Sequence, residues 1–277
     1  MENRLPEQLA TLGHPQRLEL FRLLMRRFPD KVPAGELSAA LAAKPSTLSA
    51  YLAALTRVAL VSQQRSGTSL LYSINMTVVQ QLFSDLLNDC CRGRPDICAP
   101  LFTGPAPMPK RIYSVLFICT GNSARSIFAE SLLRQIRVGR FRAYSAGTLP
   151  QSTLNPIAMQ VLRDKGHDTT GLRSKHISEF TGPDAPGFDF VFTVCNQAAN
   201  ESCPAWDGQP ISGHWGMPDP VKVEGTDAEK SLAFHQAYGA LKRRIEAFTA
   251  LPLASLDRIA LQAAVDDIGR NSLEPTT

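Results

Sequence analysis

The feature that most constrains this chain is the run from Ile112 to Arg137, IYSVLFICTGNSARSIFAESLLRQIR. An apolar, β-branched stretch ending at Ile118 predicts a buried strand, and Ser126 to Arg137 repeats with helical spacing that sets Phe128, Leu132 and Ile136 on one face. Between them lies Cys119-Thr120-Gly121-Asn122-Ser123-Ala124-Arg125-Ser126, so a cysteine and an arginine bracket a short loop at a helix N-terminus. Such a loop aims backbone N–H groups and the positive helix end at one point, and a guanidinium adds a planar fork suited to a tetrahedral oxyanion. Thr120, Gly121, Asn122, Ser123, Ala124 and Ser126 are therefore expected to bind the anion beside Arg125. A free thiol ionises near pH 8.5, and such a field lowers that to roughly 3.5–7.5, which would make Cys119 a nucleophile at neutral pH. Ser126 would donate a further hydrogen bond to the sulfur. The alternative is an inert buried cysteine at a strand end. An ATP loop is excluded, because the G-x-x-x-x-G-K-[ST] pattern is missing.

The 277 residues leave room for two ordinary domains. No N-terminal stretch reads as a secretion signal, and no apolar run approaches the roughly 18 residues of a membrane helix, so a cytoplasmic protein without a membrane partner is expected. In that compartment six cysteines point to metal-type ligation or redox chemistry before structural disulfides. Residues 1–75 hold nine Lys/Arg against five Asp/Glu, which accounts for the whole net charge of +4 and suggests that this part alone meets nucleic acid.

Along that basic part, Pro15 to Phe28 predicts an amphipathic helix with Leu18, Phe21, Met25 and Phe28 inward, and Ala34 to Leu41 a second, short one. Ser46 would cap a third helix to about Leu55, with Leu48, Leu52 and Leu55 inward. The opposite face carries Ser46, Ser49, Ala50, Ala53 and Arg57, small enough to approach a DNA major groove, and Ser46, Thr47, Ser49, Ala50 and Arg57 are the expected DNA contacts of this helix. Val61 to Ser73 predicts a hairpin turning at Ser66-Gly67 with Arg65 near its tip. Two helices, a short turn and a hairpin suggest a winged helix-turn-helix, with a small bundle lacking any DNA role as the alternative. The segments LGHPQRLELFRLL, VPAGELSAALAAKPSTLSAYLAAL and LVSQQRSGTSLLYSI resemble the arsenic- and metal-responsive winged-helix repressors of the ArsR/SmtB family. That resemblance implies a homodimer that binds operator DNA and releases it on capturing a metal ion or arsenite.

Thr77 to Cys91 predicts a helix with a broad apolar face, the dimerisation helix by the same resemblance. It leads into Cys90-Cys91-Arg-Gly93-Arg-Pro95-Asp-Ile-Cys98, where a chain reversal would let three thiols converge. Three sulfurs without a fourth ligand suit pyramidal As(III) or Sb(III) better than tetrahedral zinc, and surface cysteines without a ligand are the alternative. Residues 1–98 are thus expected to form a domain for DNA binding, dimerisation and arsenite sensing, followed by a Pro-rich linker at 99–110.

Beyond the anion loop, Phe141 to Gly147, Phe188 to Val194 and Ile211 to Trp215 predict further strands. Asn155 to Lys165 and Asp227 to Phe248 predict helices. The expected class is therefore α/β with a four-stranded parallel sheet over residues 111–250, after an α+β winged domain. A terminal helix from Leu256 to Ile268 within residues 251–277 has no functional reading. From about Arg111 to Phe248 the chain resembles the low-molecular-weight phosphotyrosine phosphatase superfamily, and CTGNSARS looks most like its thiol-coupled arsenate reductase branch.

That resemblance gives roles to Cys195, Cys203 and Asp219-Pro220. Cys119 would attack bound arsenate, Asp219 would protonate the departing hydroxide, and Cys195 and Cys203 would relay the oxidation outward as a disulfide for a thioredoxin- or glutaredoxin-type reductant. Glu130 and Ser145 match positions near the family's active site in supporting roles. Cys195 and Cys203 stand one residue further apart than in the best-known thioredoxin-coupled members, which leaves the reductant open. Phosphatases of the superfamily lack this pair and usually carry aromatic residues where Val221-Lys222 stands, which disfavours a phosphotyrosine substrate. The expected whole is an arsenite-responsive repressor fused to an arsenate reductase, with arsenite as inducer, an external thiol reductant and no tightly bound cofactor. The rivals are a repressor fused to a tyrosine phosphatase and a regulator whose second domain only senses oxyanions or redox state.

Overall fold

A computed structural model describes residues 4–90, 112–136, 139–182, 184–201, 206 and 208–271. The chain forms two compact units, Met1–Pro105 and Ala106–Thr277.

In the first unit the elements run α1 (Leu5–Leu12), α2 (Pro15–Arg27), β1 (Val32–Pro33), α3 (Ala34–Ala40), α4 (Pro45–Arg57), β2 (Val61–Ser66), β3 (Ser69–Ile74) and α5 (Met76–Asp85). The strands form an antiparallel sheet in the order β1-β3-β2. Helix α4 opens one residue before the expected cap, with Pro45 in its first turn, where a missing N–H costs nothing; Ser46 therefore lies inside the helix. Leu48, Leu52 and Leu55 are buried as their spacing predicts, and Ser46, Ser49, Ala50 and Arg57 are exposed, with Thr47 half-buried. The face of α2 is rotated from the expected one: Leu20, Phe21, Leu23 and Leu24 are buried, whereas Leu18 and Met25 are half-buried. A helix packed against α1, α4 and β3 needs more than one apolar row. The hairpin turns at Gly67-Thr68, with Ser66 paired to Ser69 and Gly67 at φ 58°. Helix α5 stops at Asp85, and Leu86–Cys90 continues as a single π turn instead of the expected α-helix to Cys91. Cys91 and Cys98 lie outside the described residues.

The second unit holds β4 (Tyr113–Cys119), α6 (Arg125–Ile136), β5 (Phe141–Gly147), α7 (Pro156–Asp164), β6 (Phe190–Thr193), α8 (Asn196–Asn200), β7 (Ile211–His214), α9 (Asp227–Ala250) and α10 (Arg258–Asn271). All neighbouring strands are parallel, in the order β5-β4-β6-β7. Because β5 and β6 flank β4 on opposite sides, the end of β4 is the switch point where open α/β sheets bind ligands. Asn155 caps α7 through its side chain, and Thr226 with Glu229 forms a capping box on α9.

Helix α6 is buried from Arg125 through Leu133, not along one stripe, because it lies between the sheet and α9. Phe192 stacks on Trp215 at 3.9 Å, and Phe117 and Phe248 complete this aromatic core. The terminal helix α10 packs on β7: Gln262 donates to the Ser212 carbonyl at 2.7 Å and the Trp215 indole donates to Val265 O at 3.4 Å. A Cβ at Gly213 would meet Val265 Cγ1 at 2.7 Å, so only glycine allows that approach.

Candidate active site

Cys119 ends β4 in register with Gly147 of β5, and the loop to α6 starts from that fixed point. N–H groups of the next segment stitch the loop down: Thr148 donates to Cys119 O, Leu149 to Thr120 O, Gln151 to Gly121 O and Asn155 to Ser123 O, at 2.9–3.1 Å. With the carbonyls drawn to that side, the N–H edge turns the other way, and Asn122 N donates to Cys119 Sγ at 3.1 Å. Asn122 makes the bend at φ 42°, a left-handed conformation that asparagine tolerates. A Cβ on Gly147 would stand 2.6 Å from the Thr120 carbonyl, so the end of β5 must be bare for the loop to close.

An open cavity of about 430 Å³ lies over the loop, lined by Cys119, Thr120, Gly121, Ser123, Ala124 and Arg125, and across from them by Asp219. Arg125 donates to Asp219 Oδ2 at 2.7 Å and to the Met217 carbonyl at 3.2 Å. Two residues expected in the cradle point their side chains elsewhere. Ser126 is fully buried behind the sulfur, with Oγ 2.9 Å from Sγ. The Asn122 amide donates to Ser126 and Ser145 at 2.8 and 2.9 Å and accepts from the Lys175 backbone N–H at 2.7 Å. A loop this tight must spend one side chain on its own scaffold. Beneath it Glu130 is buried, ion-paired with Lys175 at 2.9 Å and with Arg134, and takes a hydrogen bond from Ser145.

The thiol itself departs from expectation. Burial pushes Cys119 above its ordinary value and the neighbouring Cys195 adds to the rise, against the pull of Ser126 and Arg125. The loop's field alone would lower it, and removal of the sulfur from water outweighs that field. Cys195 is buried at the N-cap of α8, where its Sγ accepts from Ala198 N–H at 3.4 Å and lies 3.4 Å from Thr120 Oγ1. Cys203 lies outside the described residues. Reasoning from sequence missed Gln151, Thr153, Asn155 and Gln197 in the cavity wall. Only Asn155 carried a local signal, an Asn-Pro start to a helix.

The family model of the low molecular weight phosphotyrosine protein phosphatases matches residues 114–260, more than half of the chain. The chain belongs to this family. Within the low molecular weight phosphatase family its curated relatives include the arsenate reductase of Bacillus licheniformis, 35% identical over 49% of this chain and 94% of that protein. Another is the glutaredoxin arsenate reductase of a Synechocystis strain, 30% identical over 48% of this chain and 92% of that protein. A solved arsenate reductase in its oxidised state is 27% identical, covers 48% of this chain and 93% of its own, and superposes with a TM-score of 0.40. By the family model and the sequence relatives, the second half of the chain is an enzyme of this family.

Proposed function

We propose that residues 111–250 reduce arsenate to arsenite through Cys119 and a Cys195/Cys203 relay, and that residues 1–98 form an arsenite-responsive, DNA-binding repressor. The enzymatic half rests on one observation: a second buried thiol, Cys195, lies against Thr120 of the same loop that carries Cys119 beside Arg125 and Asp219. Hydrolysis of a phosphate ester needs one thiol nucleophile only, and the glutaredoxin arsenate reductase among the relatives supports a thiol route.

Arsenate entering the cavity meets the loop N–H groups and draws Arg125 from Asp219 to its own oxygens. Cys119 sulfur then attacks As(V), and an arsenic-bound hydroxyl leaves as water with the proton from Asp219. Cys195 attacks the Cys119 sulfur next. The S–As bond breaks with its electron pair on arsenic, which departs as As(III) while a Cys119–Cys195 disulfide forms. Cys203 displaces Cys119, and a thioredoxin- or glutaredoxin-type dithiol returns the resulting Cys195–Cys203 bond to two thiols. The cytoplasm, where such reductants operate, is the proposed location; no helix among the described residues is long and apolar enough to cross a membrane.

For residues 1–98, the exposed small face of α4, exposed Arg57 and exposed Arg65 on the hairpin support approach to DNA. Phe83 on α5 is 51% exposed, which supports a homodimer contact there. Cys90 is an exposed free thiol at the end of the π turn, the first of the three proposed arsenite ligands Cys90, Cys91 and Cys98. The physical reason for joining the halves is that arsenate does not ligate thiols and its reduction product does.

Arsenite production from arsenate, with thioredoxin or glutaredoxin as donor, tests the enzymatic half. Wild type should turn over repeatedly, and Cys119→Ser and Cys195→Ser should not. Aryl phosphate hydrolysis that persists in Cys195→Ser without any arsenite production would make the domain a phosphatase, and a single burst of arsenite would make it a sensor. For the repressor half, Cys90→Ser should abolish arsenite-driven release of DNA while leaving reduction intact.

A further inference from the structure

His214 is 3% exposed at the end of β7, beside Thr193 in the parallel register with β6. Its Nδ1 lies 2.8 Å from Thr193 Oγ1 and its Nε2 3.3 Å from Asn196 Oδ1. Because an amide oxygen only accepts, Nε2 donates toward Asn196, while Nδ1 bonds with the Thr193 hydroxyl. The ring therefore grips the chain two residues before Cys195 and one residue after it. Gly216 shows how tightly this space is kept: a Cβ there would stand 2.3 Å from Asn196 Oδ1 and 2.6 Å from His214 Nε2. Arg244, buried under the same turn, holds the Trp215 and Gly216 carbonyls at 2.6 and 3.2 Å, so the far side of the grip is also fixed.

We infer that His214, with Gly216 bare beneath it, is a positioning residue that sets Cys195 for attack on the Cys119 sulfur; the inference rests on the thiol relay proposed above. Cys195 sits where a strand gives way to a helix of five residues. Val194 N–H on Ile118 O and Ala199 N–H on Cys195 O hold its backbone, and the bridge from Thr193 through His214 to Asn196 braces the same junction across Cys195. Misplacement of a reacting group by about an ångström costs roughly 100-fold in rate.

The test separates positioning from the arsenate chemistry. In full-length Cys203→Ser protein, diamide takes two electrons and two protons from Cys119 and Cys195 as their disulfide forms. Peptide mapping then gives the rate of that bond without any arsenate. Protection of Cys119 from iodoacetamide by inorganic phosphate reports the cradle separately. His214→Phe and Gly216→Ala should each slow disulfide formation roughly 10- to 100-fold while leaving phosphate protection within about twofold. His214→Gln, whose amide still donates toward Asn196, should recover most of the rate, and Gly216→Ala serves if His214→Phe does not fold. Unchanged rates, a parallel loss of phosphate protection, or a Gln variant no better than Phe would each overturn the assignment. Should wild type make no arsenite while the diamide rates still fall as expected, the reductase reading fails and the positioning role stands.

Discussion

Arg125 donates to Asp219 at 2.7 Å across 94 residues of chain. The guanidinium proposed to bind an oxyanion and the carboxylate proposed as its acid thus occupy each other. An anion that took the guanidinium would part Arg125 from the carboxylate, so the two proposed roles meet at this one contact.

Asp219→Asn separates these two jobs. It removes the proposed proton donor and leaves Arg125 without its anionic partner. Turnover of arsenate should fall about 10²- to 10⁴-fold, while inorganic phosphate competes at least as well as with wild type. Steady-state kinetics with phosphate as inhibitor decide it, and a variant with full kcat would remove Asp219 from the mechanism.

Gly147→Ala should damage the cradle without touching any reactive group. The added carbon meets the Thr120 carbonyl at 2.6 Å and Asn122 Cβ at 3.0 Å, neither able to retreat easily. A loss of about 1–3 kcal/mol in denaturant unfolding is expected, together with loss of phosphate protection at Cys119. Gly35→Ala, in α3 with no atom within 4 Å of the added carbon, is the control: it should leave phosphate protection unchanged and raise stability by about 0.5–1 kcal/mol, as alanine does in a helix.

Asp266 on α10 is pushed up from 3.8 to about 6, chiefly by burial, despite the hydrogen bond from Gln262 at 2.9 Å. The folded protein therefore holds this proton more tightly than the unfolded chain. The resulting stabilisation is fully present below about pH 3.8 and is lost as the pH rises through 6. Asp266→Asn keeps an acceptor for Gln262 and never ionises, so it should gain stability over wild type at pH 7 and match it near pH 4. Urea unfolding at the two values tests the sign, and equal differences at both would contradict it.

Arg57→Ala and Arg65→Ala address the first unit. Each removes one exposed cation from the proposed DNA face, so the slope of log K against log salt should fall by about one for each arginine that meets a phosphate. Titrating the DNA upstream of the protein's own coding sequence at several salt concentrations measures it. An unchanged slope would place the DNA elsewhere.

Elements governed by local pattern were legible in the sequence. The strand Phe141–Gly147 has the expected bounds, and Asn155 caps its helix because Asn-Pro signals a start without tertiary help. The loop from Cys119 to Ser126 was legible for the same reason, since a tight turn between strand and helix leaves few other uses for those residues. Features that depend on distant chain were not. Spacing suggested one face for α2, and three neighbours required more. Nothing near Lys175 announces that it pairs with buried Glu130, 45 residues away. The direction of the Cys119 shift was misjudged because desolvation and the approach of Cys195 are products of packing.

The seat of α10 on β7 has a consequence for handling the protein. An outermost strand with bare carbonyls is a template on which another molecule can add its own strand. Gln262 occupies the Ser212 carbonyl, and Val265 lies in contact range of Gly213, where only a hydrogen leaves room. A chain cut before Arg258 would keep the cavity residues and bare this border, and such a fragment should self-associate more readily than the longer chain, as light scattering of the two would show. The fourteen residues of α10 thus cover the outer border of the sheet at Ser212 and Gly213.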